Sequence, residues 1–176
     1  MLATQNLGGI TGRSTSLGAV ASNPARSRPA FEPEYGISND DEGMLDWGWA
    51  EERLTASRNY WIVTAGADGE PAAAPVWGVW ADDAVYFGTN PRSRKGQNLA
   101  RDPRAVVHLE SGDEVVILHG EVEVAEIEDS VLDAYETKYG YRPPGKTLFR
   151  LRPARALAWL EADYPKTATR FDFNSA

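Results

Sequence analysis

The sequence predicts a mainly β protein, a small antiparallel barrel with a few helices. Six or so short segments are rich in β-branched and aromatic residues and alternate apolar with polar positions. Close turns that contain Gly, Asp and Ser separate these segments, as is typical between antiparallel strands. The length of 176 residues suits one domain with its own core, and the chain contains no cysteine for disulfides.

The first part of the chain differs in composition from the rest. Residues 1–40 are predicted to form a flexible arm, followed by a single domain over residues 41–176, because the start is rich in Gly, Ser and Pro. The first thirty residues also contain Arg13, Arg26 and Arg28 and no acidic residue, which resembles a mitochondrial transit peptide. A flexible arm is the more usual interpretation of such a segment, and the expected location is the cytoplasm.

The domain is predicted to begin with a helix and a β-hairpin. Asp46 is a suitable N-cap, and apolar residues recur at helical spacing over residues 47–58. The period then changes to two in residues 60–64 and again in residues 72–80, which indicates strands. The Ala-Asp-Gly-Glu sequence at residues 67–70 is a turn that joins these strands into a hairpin.

The rest of the chain continues this pattern of strands and short helices. Residues 95–101 are predicted to form one or two helical turns that end at Asp102, because the residue before a proline disfavours the α conformation. A further helix is expected to start at a cap on Asp129 or Ser130 and to end at Lys138. The other segments predicted as extended are residues 84–89, 105–110, 114–125, 147–151, 154–160 and 167–173.

A cluster of basic residues lies between two predicted strands, in a chain whose net charge is -8. Thr89 and Ser93 add hydroxyl groups there, and the helix predicted from Lys95 adds unpaired backbone N–H groups. These groups together favour a bound phosphate. The alternative is that the cluster is solvated and forms ion pairs with the many acidic residues. The cluster consists of Arg92, Arg94, Lys95, Arg101 and Arg104.

Composition and motifs argue against several other functions. The acidic net charge disfavours nonspecific nucleic-acid binding, and no apolar run reaches the length of a membrane span. His108 and His119 lie in predicted strands without partners at metal-ligand spacing, so no metal site is expected. No serine lies in a Gly-x-Ser-x-Gly motif. The catalytic residues therefore stay unknown, and a bound cofactor is the better candidate for any chemistry.

Five short motifs follow one another in the middle of the chain. They are Asp68-Gly69-Glu70-Pro71, Pro75-Val76-Trp77, Tyr86-Phe87-Gly88-Thr89, the S-R-K-x-x-N-L sequence from Ser93 to Leu99, and Asp102-Pro103-Arg104. In this order they resemble the pyridoxamine 5'-phosphate oxidase-like superfamily, in particular its actinobacterial branch of flavin- or deazaflavin-dependent enzymes. The resemblance covers residues 47–124, and the combination of motifs is specific although each motif alone is weak.

This resemblance implies a split antiparallel β-barrel that forms a homodimer and binds the phosphate of a flavin at the subunit interface. Arg94 and Lys95 match the phosphate-binding basic pair of the family, with Ser93 just before them. Gly88 and Thr89 match the strand end that meets the phosphate and the ribityl chain. The strand whose backbone lies along the isoalloxazine ring corresponds to Ala73, Ala74, Pro75, Val76, Trp77 and Gly78.

Other residues have a less direct link to the site. Asn98 belongs to the S-R-K-x-x-N-L motif and is included among the cofactor-binding residues. Arg170 is a candidate for a cofactor or substrate contact, with an exposed charge on an edge strand as the alternative. Trp77 and Trp80 are an odd number of residues apart and should face opposite sides of their strand, so at most one of them lines the site.

The chain departs from the pyridoxamine phosphate oxidases proper at positions that contact FMN in that family. Ala73 stands in place of an arginine and Gly78 in place of a lysine, and residues 167–173 lack the C-terminal motif that holds the substrate phosphate. The resemblance therefore implies an oxidoreductase other than a true pyridoxamine phosphate oxidase. Coenzyme F(420) and FMN both stay open as the cofactor, since the other basic residues of the cluster could contact the acidic tail of F(420).

The expected activity is hydride transfer between this cofactor and a small planar organic substrate. One alternative is a protein that binds or senses a flavin-like ligand without turnover. Another is a barrel without a cofactor, whose basic loop serves only an interface. The lack of an obvious acid or base does not separate these functions, because hydride transfer to a cofactor needs no protein acid or base.

Overall fold

The computed structural model describes residues 23–173 of the chain. Residues 1–22, the first part of the predicted flexible arm and most of the segment that resembles a transit peptide, lie outside the described residues. Among the residues that are described, no helix is both long and apolar enough to cross a membrane.

The described residues form eight strands and four α-helices, with two short 3-10 helices at Pro33–Tyr35 and Glu161–Asp163. The α-helices are α1 (Trp47–Ala56), α2 (Arg94–Arg101), α3 (Asp129–Tyr139) and α4 (Tyr164–Thr167). The strands are β1 (Ala25–Ser27), β2 (Asn59–Ala65), β3 (Pro71–Ala81), β4 (Ala84–Phe87), β5 (Arg104–His108), β6 (Glu114–Glu126), β7 (Thr147–Leu160) and β8 (Thr169–Asp172).

Six of these strands close into an antiparallel barrel, in the order β7, β4, β3, β2, β5, β6 and back to β7. The long strand β7 pairs with β6 along nearly its whole length. On its other edge the first half of β7 pairs with β4, and the second half pairs with β8, which in turn pairs with β1. The split antiparallel β-barrel that the sequence predicts is therefore confirmed.

A β-bulge in the middle of β7 bends this strand between the half that pairs with β4 and the half that pairs with β8. The pairing with β6 shifts register between His119 and Gly120, and Gly120 lies opposite Pro153. Pro153 has no N–H to donate, and a Cβ at Gly120 would collide with the carbonyl oxygen of Arg152. The sequence predicts two separate extended segments here, whereas the structure has one strand, because the bulge bends the strand without ending it.

The core fills the barrel and continues beneath two helices. α1 packs against β3 and β6 with Trp47 and Leu54 buried. α3 packs against β3 with Val131, Leu132 and Tyr135 buried, in a second cluster that includes β4. The largest fully buried side chains of the barrel strands include Tyr60, Ile62, Phe87, Leu118 and Leu151.

Residues 25–40, predicted as part of the flexible arm, make defined contacts with the domain. β1 extends the sheet beside β8. The guanidinium group of Arg28 donates hydrogen bonds to the carbonyl oxygens of Asp40, Glu42, Lys166 and Ala168. The described domain thus begins before residue 41. The segment is held by strand pairing with β8, by Arg28 and by contacts of Phe31 and Tyr35 with Tyr164, which involve distant residues and leave no apolar periodicity in its own sequence.

Candidate functional site

A cleft of about 630 Å³ opens between β3, the start of α2 and the loop after α3. This volume lies within the range of about 300–1,000 Å³ that is typical of small-molecule sites. Six of the residues that the sequence predicts for cofactor binding line the cleft, namely Pro75, Val76, Trp77, Gly88, Thr89 and Lys95. The structure therefore brings the predicted strand, the predicted strand end and one residue of the predicted basic pair together.

One end of the cleft has the groups that a phosphate needs. Ser93 is the N-cap of α2, and its Oγ accepts a hydrogen bond of 3.2 Å from the N–H of Gly96. The same Oγ lies 3.2 Å from Oγ1 of Thr89. The first turn of a helix has N–H groups without intrahelical partners and the positive end of the helix dipole. With Lys95 in the cleft wall, this end is suited to an anion.

Two other residues of the predicted motif are engaged outside the cleft. Nη2 of Arg94 donates a hydrogen bond of 2.6 Å to Glu70, and both side chains are more than half exposed. An exposed ion pair of this kind contributes only about 0–1 kcal/mol, so a bound anion can replace it. Asn98 is buried, donates to Oγ1 of Thr64 and accepts from Arg101. Asn98 thus fixes α2 against β2 and does not line the cleft.

The strand β3 forms a wall of the cleft with a free backbone edge. β4 ends at Phe87, two residues earlier than predicted, and pairs with β3 only from Gly78 to Ala81. Within the described chain, the preceding residues of β3 have no strand partner on this side. Pro75 and Trp77 are exposed on this segment. A strand edge without a strand partner offers backbone hydrogen bonds to the rim of a planar ligand, apart from the carbonyl oxygen of Trp77, which Tyr135 engages.

Three side chains of α3 fix the backbone of β3 beside the cleft. The hydroxyl of Tyr135 donates to the carbonyl oxygen of Trp77 at 2.7 Å, and Nζ of Lys138 donates to that of Gly78 at 2.8 Å. The hydroxyl of Tyr139 accepts a hydrogen bond of 2.9 Å from the N–H of Gly78. These three residues share one face of α3 because they are three and four positions apart. The position of the cleft wall therefore depends on α3.

Lys138 gives the stability of the protein a testable pH dependence. Burial, and to a lesser degree the charge of Arg58, lowers the pKa of Lys138 to about 8. Between pH about 8 and about 10 the unfolded chain holds more protons at this position than the folded chain, so stability rises with pH there. We expect the free energy of unfolding of the unmodified protein to rise with pH relative to that of the Lys138→Met variant, measured by urea denaturation.

The tyrosines around Lys138 have little effect on the comparison between the unmodified protein and the Lys138→Met variant. Burial raises the pKa of Tyr60 and of Tyr135. At high pH these two tyrosines therefore ionise in the unfolded chain before they ionise in the folded chain, which lowers stability. Both tyrosines ionise in the unfolded chain only at about pH 10, so the rise from pH about 8 to about 9 reports Lys138. A difference between the two proteins that stays constant from pH about 7 to about 10 would show that Lys138 does not titrate as described.

The remaining predicted residues of β3 are close to the cleft but do not line it. Ala73 is exposed on the same face as Pro75, and Ala74 is half-buried. Gly78 is buried, and a Cβ there would lie 2.7 Å from the carbonyl oxygen of Tyr86. This position therefore has no room for a side chain, whereas the family oxidases have a lysine there.

The structure places Arg170 and Trp80 away from the cleft. Arg170 lies on β8, which β7 and β4 separate from β3, and its guanidinium donates to both carboxylate oxygens of Asp172. Trp80 is half-buried and lies edge-on against Trp47 with 5.9 Å between ring centroids. Trp77, by contrast, lines the cleft. The two tryptophans of β3 thus face opposite sides, as their spacing predicts.

Much of the cleft wall comes from residues that no motif in the sequence indicates. Val124 from β6, Phe149 from β7 and Tyr135 from α3 line it together with Tyr141 and Pro144 from the following loop. The tyrosines of α3 at helical spacing and the proline-rich loop after them were the available signals. These residues are distant in sequence from the motifs, so only the closure of the barrel brings them to the cleft.

The two histidines belong to the barrel wall, as the sequence predicts. Nδ1 of His108 lies 2.7 Å from the carbonyl oxygen of Leu109, and its ring is parallel to that of Trp61. His119 lies in a second groove on the outer face of β2, β5 and β6. Burial and the charge of Arg155 lower the pKa of His119. Residues 23–173 contain no group of three or more His, Cys, Asp or Glu residues that could hold a metal ion.

Sequence comparison adds evidence to this geometry. Residues 49–160, more than half of the chain, match the family model described as pyridoxamine 5'-phosphate oxidase. The chain belongs to the pyridoxamine 5'-phosphate oxidase family. A pyridoxine/pyridoxamine 5'-phosphate oxidase from Cupriavidus metallidurans is 40% identical over 91 residues, which cover 49% of this chain and 40% of that protein. The chain spans about half or less of the length of the curated relatives it matches.

Solved structures share the fold of this family member. A conserved hypothetical protein from Mycobacterium tuberculosis has a TM-score of 0.59 at 23% identity, covering 70% of this chain and 90% of its own. An F(420) reductase has a TM-score of 0.50 at 18% identity, covering 60% of this chain and 94% of its own. At such identities the likeness shows a common fold alone. The pyridoxamine 5'-phosphate oxidase-like superfamily consists of split barrels that include flavin-binding oxidoreductases.

Proposed function

We propose that this protein is an oxidoreductase that binds FMN or coenzyme F(420) in the cleft and transfers a hydride to or from a small planar substrate. The observation that supports this most is the arrangement of the cleft. An anion-binding end, made by Lys95 and the start of α2, lies next to the edge of β3 that no strand covers. A phosphate joined to a planar ring has the same two parts in the same order.

The residues present fit such a cofactor. Lys95, the hydroxyls of Thr89 and Ser93 and the first turn of α2 would hold its phosphate. The backbone of Pro75 and Trp77 would lie along its ring, while Tyr135 keeps that backbone in place. The cofactor would supply the hydride chemistry at its ring. The protein orients the two reactants and excludes water between the apolar walls of the cleft.

The choice between FMN and F(420) rests on the basic residues around the cleft. F(420) has an acidic tail, and exposed arginines near α2 favour its binding. Arg104 already donates to both carboxylate oxygens of Asp102, and Arg101 donates to Asn98. Those two arginines would have to leave their present partners to bind a tail. Ala73, exposed and without a charge, lacks the arginine that contacts FMN in the oxidases proper, which favours F(420).

The proposal includes a homodimer with the cofactor at its interface. Supporting it, two rows of side chains cross the outer faces of β2, β5, β6 and β7, and most of them are apolar and half-buried. Apolar rows on the outside of a barrel are typical of a surface that another chain covers. The rows are Trp61, His108, Ile117 and Leu157, and Val63, Val106, His119 and Arg155.

Titration of the purified protein with FMN and with F(420) tests this proposal. We expect micromolar binding of one of them, seen as a change in cofactor fluorescence, and a particle of twice the chain mass of 19.3 kDa by light scattering. Binding of neither cofactor would contradict both cofactor assignments. In that case the basic loop would serve only an interface.

Binding without turnover would support the second candidate, a flavin-binding or sensing protein. One observation favours this candidate for any reaction that needs a proton: the titratable side chains at the wall are Lys95, Tyr135 and Tyr141, and the hydroxyl of Tyr135 is engaged by the carbonyl oxygen of Trp77. The experiment is reduction or oxidation of the bound cofactor in the presence of a panel of planar acceptors. A cofactor that binds tightly and exchanges no hydride with any of them would identify a binding protein.

A further inference from the structure

The part of the cleft away from Lys95 has an apolar and aromatic wall. Val124, Phe149 and Leu148 come from the neighbouring strands β6 and β7, and Tyr141 and Pro144 come from the loop after α3. Val124 is 63% exposed and Tyr141 is 48% exposed, so these residues face open space and not the core. An exposed apolar surface inside a concave cleft is typical of a ligand site.

The ring of Trp77 is an exposed aromatic surface at this wall that neighbouring rings hold in place. It is 46% exposed, yet its ring is stacked on that of Tyr139 with 4.6 Å between centroids and 7° between planes. Tyr141 lies edge-on to the same ring at 6.4 Å. The carbonyl oxygen of Trp77 is held by Tyr135 as well. An exposed aromatic ring that its neighbours hold in place loses little entropy when a planar ligand stacks on it.

The charges of the cleft are confined to its other end. Among the residues that line it, Lys95 is the one with an ionisable charge at neutral pH. The charged residues next to this wall are paired with other charges: Glu123 with Arg150 at 2.6 Å, Arg142 with Asp133 at 2.6 Å, and Lys146 with Asp129 at 3.3 Å. A phosphate or carboxylate at the apolar wall would therefore lose its hydration without a compensating partner, which is costly.

We infer that the apolar part of the cleft binds an uncharged, planar, conjugated molecule and discriminates against phosphorylated ones. The inference rests on the proposed function, since the bound molecule is the hydride partner of the cofactor. Trp77 is the stacking surface, and Val124 is the residue at which charge would change specificity. A substrate phosphate, as in the pyridoxine phosphates, meets no cation among the residues that line this wall, and the cations beside it are already paired.

Equilibrium dialysis with two matched probes tests this inference. The probes are 2-naphthol and 2-naphthyl phosphate, which share a planar apolar ring and differ in the phosphate. Excess inorganic phosphate is present throughout, so that the end near Lys95 is occupied whether or not a cofactor binds. We expect the unmodified protein to bind 2-naphthol at least about tenfold more tightly than 2-naphthyl phosphate.

Three variants locate the preference in the cleft. Trp77→Ala should weaken 2-naphthol binding by about tenfold, because a stacking surface is lost. Val124→Arg should reduce or reverse the preference, because it adds a partner for the phosphate where the side chain is exposed. Glu126→Gln, two residues further along β6 and outside the cleft wall, changes the net charge by the same amount and should leave the preference unchanged.

The inference is overturned if the unmodified protein binds 2-naphthyl phosphate as tightly as 2-naphthol, or binds neither probe. The second result is expected if a second copy of the chain covers the apolar wall. A Trp77→Ala variant that keeps full affinity for 2-naphthol would overturn it too, with circular dichroism as the check on folding. These results do not depend on FMN or F(420), so a failed cofactor titration leaves the probe preference measurable and separates the two proposals.

Discussion

Replacing Lys95 with alanine is expected to weaken binding of the cofactor by about 1.5–3 kcal/mol, which is a loss of about tenfold to somewhat over a hundredfold in affinity. Lys95 is the cation in the cleft wall, and a phosphate beside it forms a charge-assisted hydrogen bond. Neither the helix dipole nor the hydroxyls of Thr89 and Ser93 can replace a full charge. The measurement is the dissociation constant of whichever cofactor binds in the titration.

Two control variants separate a local contact from a general effect of charge. Lys166→Ala removes the same charge from α4, outside the cleft wall, and should leave affinity unchanged. Arg94→Ala should have an effect between the two, because Arg94 is paired with Glu70 and must leave that partner to reach an anion. Equal losses for Lys95→Ala and Lys166→Ala would mean that the cleft does not hold the phosphate.

The strands and the basic loop could be predicted from the sequence because they depend on local signals. Period-two patterns specify strands such as β2 and β6, and Asp102 before Pro103 specifies the end of α2, which is predicted to start at Lys95 and starts at Arg94. The motifs also indicate β3 and Lys95 as parts of the site. The cleft confirms none of their roles, which stay predictions, but it does bring these residues together.

Other features depend on contacts between distant residues and leave no local pattern. β1 is held by β8, and Arg28 next to it is held by the carbonyl oxygen of Lys166, both of which are far away in sequence. The single strand β7 requires that Gly120 and Pro153 meet at the bulge. The aromatic wall requires that α3 pack on β3, which Tyr135 and its neighbours arrange by bonds to backbone carbonyls. Such bonds have no sequence signature, because any residue provides a carbonyl oxygen.

Gly96 is the position in α2 at which one added methyl group should have the largest effect. A Cβ there would lie 2.5 Å from the carbonyl oxygen of Asn90 and 2.7 Å from that of Pro91, and both atoms belong to backbone. The loop and the helix must therefore separate. Overpacking of this kind costs about 1–3 kcal/mol, while alanine regains up to about 1 kcal/mol in helix propensity. We expect Gly96→Ala to lower the free energy of unfolding by about 1–2 kcal/mol in urea denaturation.

The same variant should also weaken cofactor binding, because the displaced loop leads from Thr89 to Ser93 and carries the hydroxyls of the anion-binding end. Gly48→Ala is the matched control, since Gly48 lies in α1 with nothing within 4 Å of an added Cβ. It should leave stability unchanged or raise it slightly, and it should leave affinity unchanged. If Gly96→Ala resembles Gly48→Ala in both measurements, close contact between the loop and α2 does not shape the site. If Gly96→Ala loses stability but keeps its affinity, the phosphate is held elsewhere than at the start of α2.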